Sequence, residues 1–244
     1  MMHRKKILIC GSEGFIGKNL VDYFSSKPEI EVIASYHKEK PTKKTGVTYV
    51  ESDLTDRKQV EDLFEDCSIV LQYAAVTSGA KDIVENPYIH ISDNAIMNSL
   101  MLRTAVEKGV EHFIFPSCSI MYQNGLTPLK EDDVVEEKIE KKYLAAALTK
   151  IYLEKMCKFY SQVGKTKFSV LRQSNIYGPY DKYFSEKSHV FAATISKVLK
   201  NKKDLIVWGE GKERRDFLHV SDLINLLDLI IKNQDQKFCL VNAA

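Results

Sequence analysis

The apolar run "ILIC" follows a basic stretch and ends in glycine, the pattern of a buried parallel strand. "GSEGFIG" and "KNLVDYFSS" follow it, a glycine-rich turn opening a helix. "EVIAS" and "VTYVES" predict the second and third strands, and "DRKQVEDLFED" a helix. Then come the strand "SIVLQYAA", a long helix over "ISDNAIMNSLMLRTAVEKG" and the strand "HFIFPS". The polar stretch from Gln123 to Glu140 predicts a surface loop. Beyond it lie a helix through Lys150, the strand "FSVLRQS", a helix over Val190 to Leu199 and a short strand "LIVWG". A helix from Val220 to Lys232 and a strand at "KFCLVNAA" finish the pattern. Strands alternating with helices predict an α/β protein with a doubly wound parallel sheet.

Composition changes this picture little. The 244 residues suit one large domain, or one with a small appendage. A net charge of +2 points to neither nucleic acid nor a membrane surface. The one basic cluster, "KPTKK" at Lys40 to Lys44, reads as a solvated loop. No apolar run approaches the ~20 residues that span a bilayer. The start "MMHRKKILIC" has too short an apolar run for a secretory leader. Five scattered cysteines show no metal-ligand spacing and suit a reducing cytoplasm.

Candidate chemistry begins at Gly11, Gly14 and Gly17, spaced G-x-x-G-x-x-G between a strand and a helix. A tight turn, a backbone close to a pyrophosphate and close strand–helix packing all favour glycine there. The helix start offers free N–H groups to the phosphates. The turn, with Glu13, Phe15 and Ile16, is therefore expected to cradle a dinucleotide. The second strand ends in "SYHK", with His37 and Lys38 where NAD-binding chains carry a carboxylate. This favours NADP, with NAD the alternative. Asp53 and Leu54 are expected near the adenine, and Ala74 and Ala75 on the cofactor floor.

With these motifs the chain resembles the extended short-chain dehydrogenase/reductase family: nucleotide-sugar epimerases, dehydratases and reductases. The likeness runs in order through "GSEGFIG", "SDLTD", "YAAVTSGA", "FIFPSCSIMY", the Lys150 helix, "LRQSNIYGPYD", "SHVFAATISKV" and "WGEGKERRDFLHVSDL". It implies a Rossmann-like sheet binding cofactor over residues 1–175. A small substrate-binding portion would follow over 176–244, with 217–244 returning to the main sheet. Family members usually continue for several dozen residues beyond "KFCLVNAA", so that portion is expected to be shortened. The resemblance places Arg172, Ser174, Asn175, Ile176, Tyr177, Gly178 and Pro179 in a segment closing over nicotinamide and sugar. Thr77, His189 and Val190 would meet the sugar, His189 aiding epimerisation, and Arg215 would grip the diphosphate. Trp208 is a candidate to flank the nucleotide, although a lone tryptophan in an apolar strand is more often core. A homodimer through the long helix before "HFIFPS" and the Lys150 helix is also implied.

Two positions depart from the family. Its Y-x-x-x-K pairs a proton-exchanging tyrosine with the lysine, but four residues before Lys150 stands Ala146. Such a group is typically worth about 10²–10⁴-fold in rate. Tyr143 is an imperfect substitute, seven residues and ~10 Å of helix away. The family's serine position holds Cys118, between Ser117 and Ser119. Cys118 is a candidate acid or base, with an ordinary buried cysteine the competing reading, and either serine is a candidate hydroxyl after a one-residue shift. The expectation is an NADP-dependent reductase or epimerase of a nucleoside-diphosphate 4-keto-6-deoxy sugar. A catalytically silent binding protein of the same fold is the alternative.

Overall fold

Within Lys5–Cys10, Ile7 and Ile9 leave one side of the strand and Leu8 and Cys10 the other, and all four are fully buried. A strand apolar on both faces must lie between two helical layers. The computed structural model describes residues 4–76, 88, 91–125, 127–184, 188–200, 204–205 and 214–244. The strands are β1 (Lys5–Cys10), β2 (Ile30–Tyr36), β3 (Val47–Glu51), β4 (Ile69–Gln72), β5 (His112–Cys118), β6 (Lys167–Gln173), β7 (Asn175–Tyr177), β8 (Phe217–His219) and β9 (Phe238–Ala243). The helices are α1 (Phe15–Ser25), α2 (Arg57–Leu63), α3 (Ser92–Glu107), α4 (Leu144–Val163), α5 (Val190–Lys200) and α6 (Val220–Asn233).

Seven strands form one sheet in the order β3-β2-β1-β4-β5-β6-β9, and every neighbouring pair is parallel. On one face α2, α3 and α4 cover Leu8, Val70, Phe113, Phe115, Phe168 and Val170. On the other, α1 and α6 cover Ile7, Ile9, Val32, Ile114 and Leu171. The chain thus winds in both directions from β1, and the order reverses between β1 and β4. In open parallel sheets that switch point forms a crevice at the carboxyl ends of the strands. The residues following β1, β4, β5 and β6 reach this edge.

Local chemistry sets several boundaries. Asp56 caps α2 by accepting the Gln59 amide at 2.8 Å. No side chain caps α1, whose N-cap is Gly14. Lys27, just past the end of α1, pairs with Asp228 of α6 at 2.6 Å, tying the two helices of that face.

The stretch from Gln123 to Glu140 is more than a polar loop. It forms short 3₁₀ turns at Glu131–Asp133 and Glu136–Lys138. Ile139 is buried with Met121, Ala147 and Ile151, an anchor that a single apolar residue among charges hardly announces. The short parallel pair β7–β8 lies outside the main sheet. Most of "LIVWG", expected as a strand, lies outside the described residues.

Candidate active site

The crevice at the switch point is built from backbone. Gly11 has φ +72°, and a Cβ there would sit 2.7 Å from the Tyr73 carbonyl and 2.8 Å from the Ala74 Cα. A Cβ on Gly17 would fall 2.0 Å from the Gly11 carbonyl oxygen. The turn therefore presses against both the strand-β4 loop and the first turn of α1, leaving backbone N–H groups at the helix start. The Ser12 hydroxyl is buried with no hydrogen-bond partner among the described residues. An uncapped helix start, a cradle closed to any Cβ and an unpartnered hydroxyl fit the phosphates of a dinucleotide. A cleft of about 370 Å³ adjoins the turn, lined by Ser12, Glu13, Lys18, Lys43, Lys44 and Tyr180 among others. Phe15 and Ile16 pack partly into the core below.

At the end of β2, His37 and Lys38 are exposed. Asp53 is held below the ordinary carboxylate range, first by the Thr55 hydroxyl at 2.7 Å and the Thr55 amide at 2.9 Å, then by the charges of His37 and Lys38. Those four residues therefore share one corner. The Leu54 side chain is buried in the core.

The second half of the site is built from side chains. A cavity of about 170 Å³ is lined by Ala74, Ala75, Cys118, Ala146, Thr149 and Lys150 among others. The Lys150 amine donates to the Pro116 carbonyl at 2.6 Å and lies 4.6 Å from the centre of the Phe115 ring. Burial lowers the Lys150 pKa, and Cys118, Glu154 and Cys157 oppose that shift. Burial raises the Cys118 thiol, against the pull of Lys150, so the thiol is held protonated. Cys118 here is suited to giving a proton rather than to taking one.

Behind the cavity runs a polar network. Ser117 donates to Glu154 at 2.5 Å, so its hydroxyl is engaged in the core. Glu154 pairs with Arg172 at 2.7 Å, both side chains 7% exposed. Arg172 donates onward to the Tyr122 hydroxyl at 2.8 Å and the Glu131 carbonyl at 2.6 Å. Tyr122 in turn donates to Asn242 of β9 at 2.7 Å. Also lining the cavity, Asn94 grips the Val76 backbone at both N–H and C=O, each at 3.0 Å. Gln72 donates to Asn98 at 3.0 Å.

The remaining candidates are placed as follows. Ser119 opens a 3₁₀ turn over Ser119–Met121 and is half-buried. Tyr143 is the N-cap of α4, with the Lys142 amine 4.8 Å from its ring centre, and it is absent from the lining of the lysine cavity. Asn175 donates to the Asp216 carbonyl at 3.0 Å, holding β7 to β8, and Ile176 is buried in the core. Ser174 has a buried hydroxyl with no protein partner. Gly178 has φ +145°, and Tyr177 stacks on Phe191 with ring centres 4.3 Å apart. The Pro179 carbonyl accepts from Asn19 of α1 at 2.8 Å. His189, Val190 and Arg215 are exposed, with Arg215 near enough to Glu140 to help lower its pKa after Lys142 and Asn124. Thr77 and Trp208 lie outside the described residues.

The structure thus gathers Ala74, Ala75, Cys118 and Lys150 round one cavity. It leaves Ser117 behind it and His189 and Arg215 on the exposed side. Sequence reading passed over Glu154, Asn94, Asn98 and Gln72. One signal was available: an arginine inside "FSVLRQS" needs a buried partner, and Glu154 lies one helical turn beyond Lys150.

The fold and this site define an α/β protein with a glycine turn and a lysine helix at the switch point of a parallel sheet. More narrowly, the chain belongs to the NAD dependent epimerase/dehydratase family, whose model matches residues 7–243. It is 26% identical over 239 residues to GDP-L-colitose synthase of Yersinia pseudotuberculosis, covering 93% of this chain and 72% of that protein. GDP-L-fucose synthase of Escherichia coli K12 is 26% identical over 230 residues, covering 91% and 68%. Among solved structures, UDP-N-acetylglucosamine 4-epimerase from Methanobrevibacter ruminantium superposes with a TM-score of 0.84 at 22% identity, covering 100% of this chain and 77% of that one. UDP-glucose 4-epimerase from Thermotoga maritima gives 0.81 at 23%, covering 97% and 76%. These two share the fold.

Proposed function

We propose that the protein is an NADP-dependent reductase or epimerase acting on a nucleoside-diphosphate 4-keto-6-deoxy sugar. The observation that carries this reading is the cavity that gathers Lys150 and Cys118 beside Tyr73 and Ala74, the backbone against which Gly11 packs. Bound NADP would supply hydride chemistry. Gly11, Glu13, Gly14 and Gly17 would hold its phosphates, and His37 and Lys38 its 2′-phosphate beside Asp53 and Leu54. Ala74 and Ala75 would form its floor, and Lys150 would bind the nicotinamide ribose with Asn175 and Ile176 near by.

Cys118 is the group that gives a proton to a sugar oxygen or carbon in this reading. Its thiol lines the cavity and burial keeps it protonated. His189, at the start of α5, would take a proton from the opposite side of the sugar. Such a pair suffices for epimerisation through an enol without a tyrosine. Val190 and Thr77 would contact the sugar, Trp208 its nucleotide, and the guanidinium of Arg215 its diphosphate. Ser119 and Tyr143 would serve as secondary hydroxyl groups. Residues 1–175 would carry the cofactor and 176–244 the substrate portion, with 217–244 serving the main sheet.

The relatives named above support a nucleotide-sugar substrate. Exposed Ile96 on α3 and Leu148, Tyr152, Phe159 and Val163 on α4 support a homodimer through these helices. Five unpaired cysteines suit work in the cytoplasm. Ala146 favours a second reading, a silent protein that binds the cofactor or the sugar nucleotide.

The test is incubation with NADPH, or NADH for comparison, and a panel of GDP-, UDP-, CDP- and dTDP-4-keto-6-deoxy sugars in deuterated water. NADPH consumption or deuterium uptake that falls at least 10-fold in Cys118→Ala establishes the enzyme. Binding of NADPH without either signal, with activity restored by Ala146→Tyr, leaves the silent reading.

A further inference from the structure

Helix α4 is stapled to β5 by two side-chain bonds one helical turn apart. Lys150 donates to the carbonyl of Pro116 at 2.6 Å, and the next residue, Ser117, donates to Glu154 at 2.5 Å. Neighbouring strand residues are thus held by helix positions i and i+4, which share one face. We propose that Glu154 is a positioning residue for Lys150. Its carboxylate pins, through Ser117, the strand whose carbonyl holds the amine, and places a buried negative charge one helical turn from Lys150. The proposal rests on the cofactor role given to Lys150 above.

The charges support this assignment. The described groups that bear on Lys150 are Cys118 from β5 and Glu154 and Cys157 from α4. Burial raises both thiols, so they are neutral at physiological pH. Glu154 is the one carboxylate among them. Arg172 from β6 pairs with Glu154 and bears on Cys118. The other polar side chains lining the same cavity include the neutral Gln72, Asn94 and Asn98.

Glu154 has no vacancy for another task. Its Oε1 accepts from Ser117 and from the Arg172 Nε at 3.1 Å, and its Oε2 from the Arg172 Nη2 at 2.7 Å. A buried pair whose purpose is only to join β6 to α4 needs no third ligand from β5. The bond to Ser117 directs the carboxylate toward the strand segment that carries Pro116 and Cys118.

The deciding experiment follows the Lys150 amine directly, using protein labelled with ¹³C at the lysine Cε and Lys150→Arg to identify its resonance. In Glu154→Gln the titration midpoint of Lys150 should fall by about one pH unit. The alkaline limb of NADPH binding should move with it, while Glu154→Asp keeps both near the parent's. If Glu154→Gln does not fold because Arg172 is left unpaired, Glu154→Gln/Arg172→Met removes both charges and should show a smaller fall of the same sign. A midpoint unmoved in the folded variant overturns the proposal, even where thermal stability drops. Failure of the parent to bind NADPH sinks the cofactor reading instead, and the amine titration still decides the role of Glu154.

Discussion

The two halves of the site are made differently. At the glycine turn the surface offered to a ligand is backbone, and a Cβ on Gly11 or Gly17 would overlap main-chain atoms within 3 Å. Round Lys150 the surface is side chain, set by hydrogen bonds among Ser117, Glu154, Arg172 and Tyr122. A backbone-made site cannot absorb a change without moving the main chain. A side-chain-made site can lose one group and keep the rest in place, as Ala146 does beside an intact Lys150.

The largest effect should come from breaking the backbone half. Gly17→Ala forces a methyl 2.0 Å from the Gly11 carbonyl oxygen. Loss of about 3 kcal/mol or more is expected, with NADPH binding abolished, read by urea denaturation and fluorescence titration. Equal stability and binding in the variant would remove the contrast between the halves.

A change of similar size is expected at the far end of β5, where His112 sits against the Ser169 hydroxyl at 2.7 Å. Burial first, then the charge of Lys167, depresses its pKa from 6.5 to about 4. The unfolded chain therefore takes up a proton below pH 6.5 while the folded chain stays neutral until about pH 4. Stability from this group is complete above pH 6.5 and falls by about 3 kcal/mol as the pH drops to 4. The urea midpoint measured across that window should follow, and His112→Gln should flatten the slope.

Asn94→Ala removes one partner from the Val76 N–H and one from its C=O on the cavity wall. A loss of about 1 kcal/mol and weaker NADPH binding are expected, because a half-buried amide and carbonyl each lose a hydrogen bond. Tyr122→Phe is the gentlest break. It takes one partner each from Arg172 and Asn242, costs about 1 kcal/mol and leaves NADPH affinity within about threefold. A larger loss of affinity would show that the lysine half is as unforgiving as the glycine half.

The sequence by itself determined whatever depends on neighbours along the chain. The double-faced apolar strands, the helices between them and the glycine spacing all report local geometry, so the wound sheet and its cofactor turn were legible before any contact was known. Lys150 was legible through the family resemblance alone, since the tyrosine that its spacing would pair with is Ala146 here. Tertiary structure decided how residues far apart in sequence share a proton or a hydrogen bond. Ser117, one of three adjacent candidates, turns to Glu154, 37 residues on, while Cys118 faces the cavity. Strand alternation allows neighbours to face opposite sides but does not say which side holds the cavity. Asn242, in the strand that completes the sheet, reaches Tyr122 across 120 residues. No spacing rule connects those positions, because a buried hydrogen-bond network is chosen by which polar atoms the packed core leaves within reach of one another.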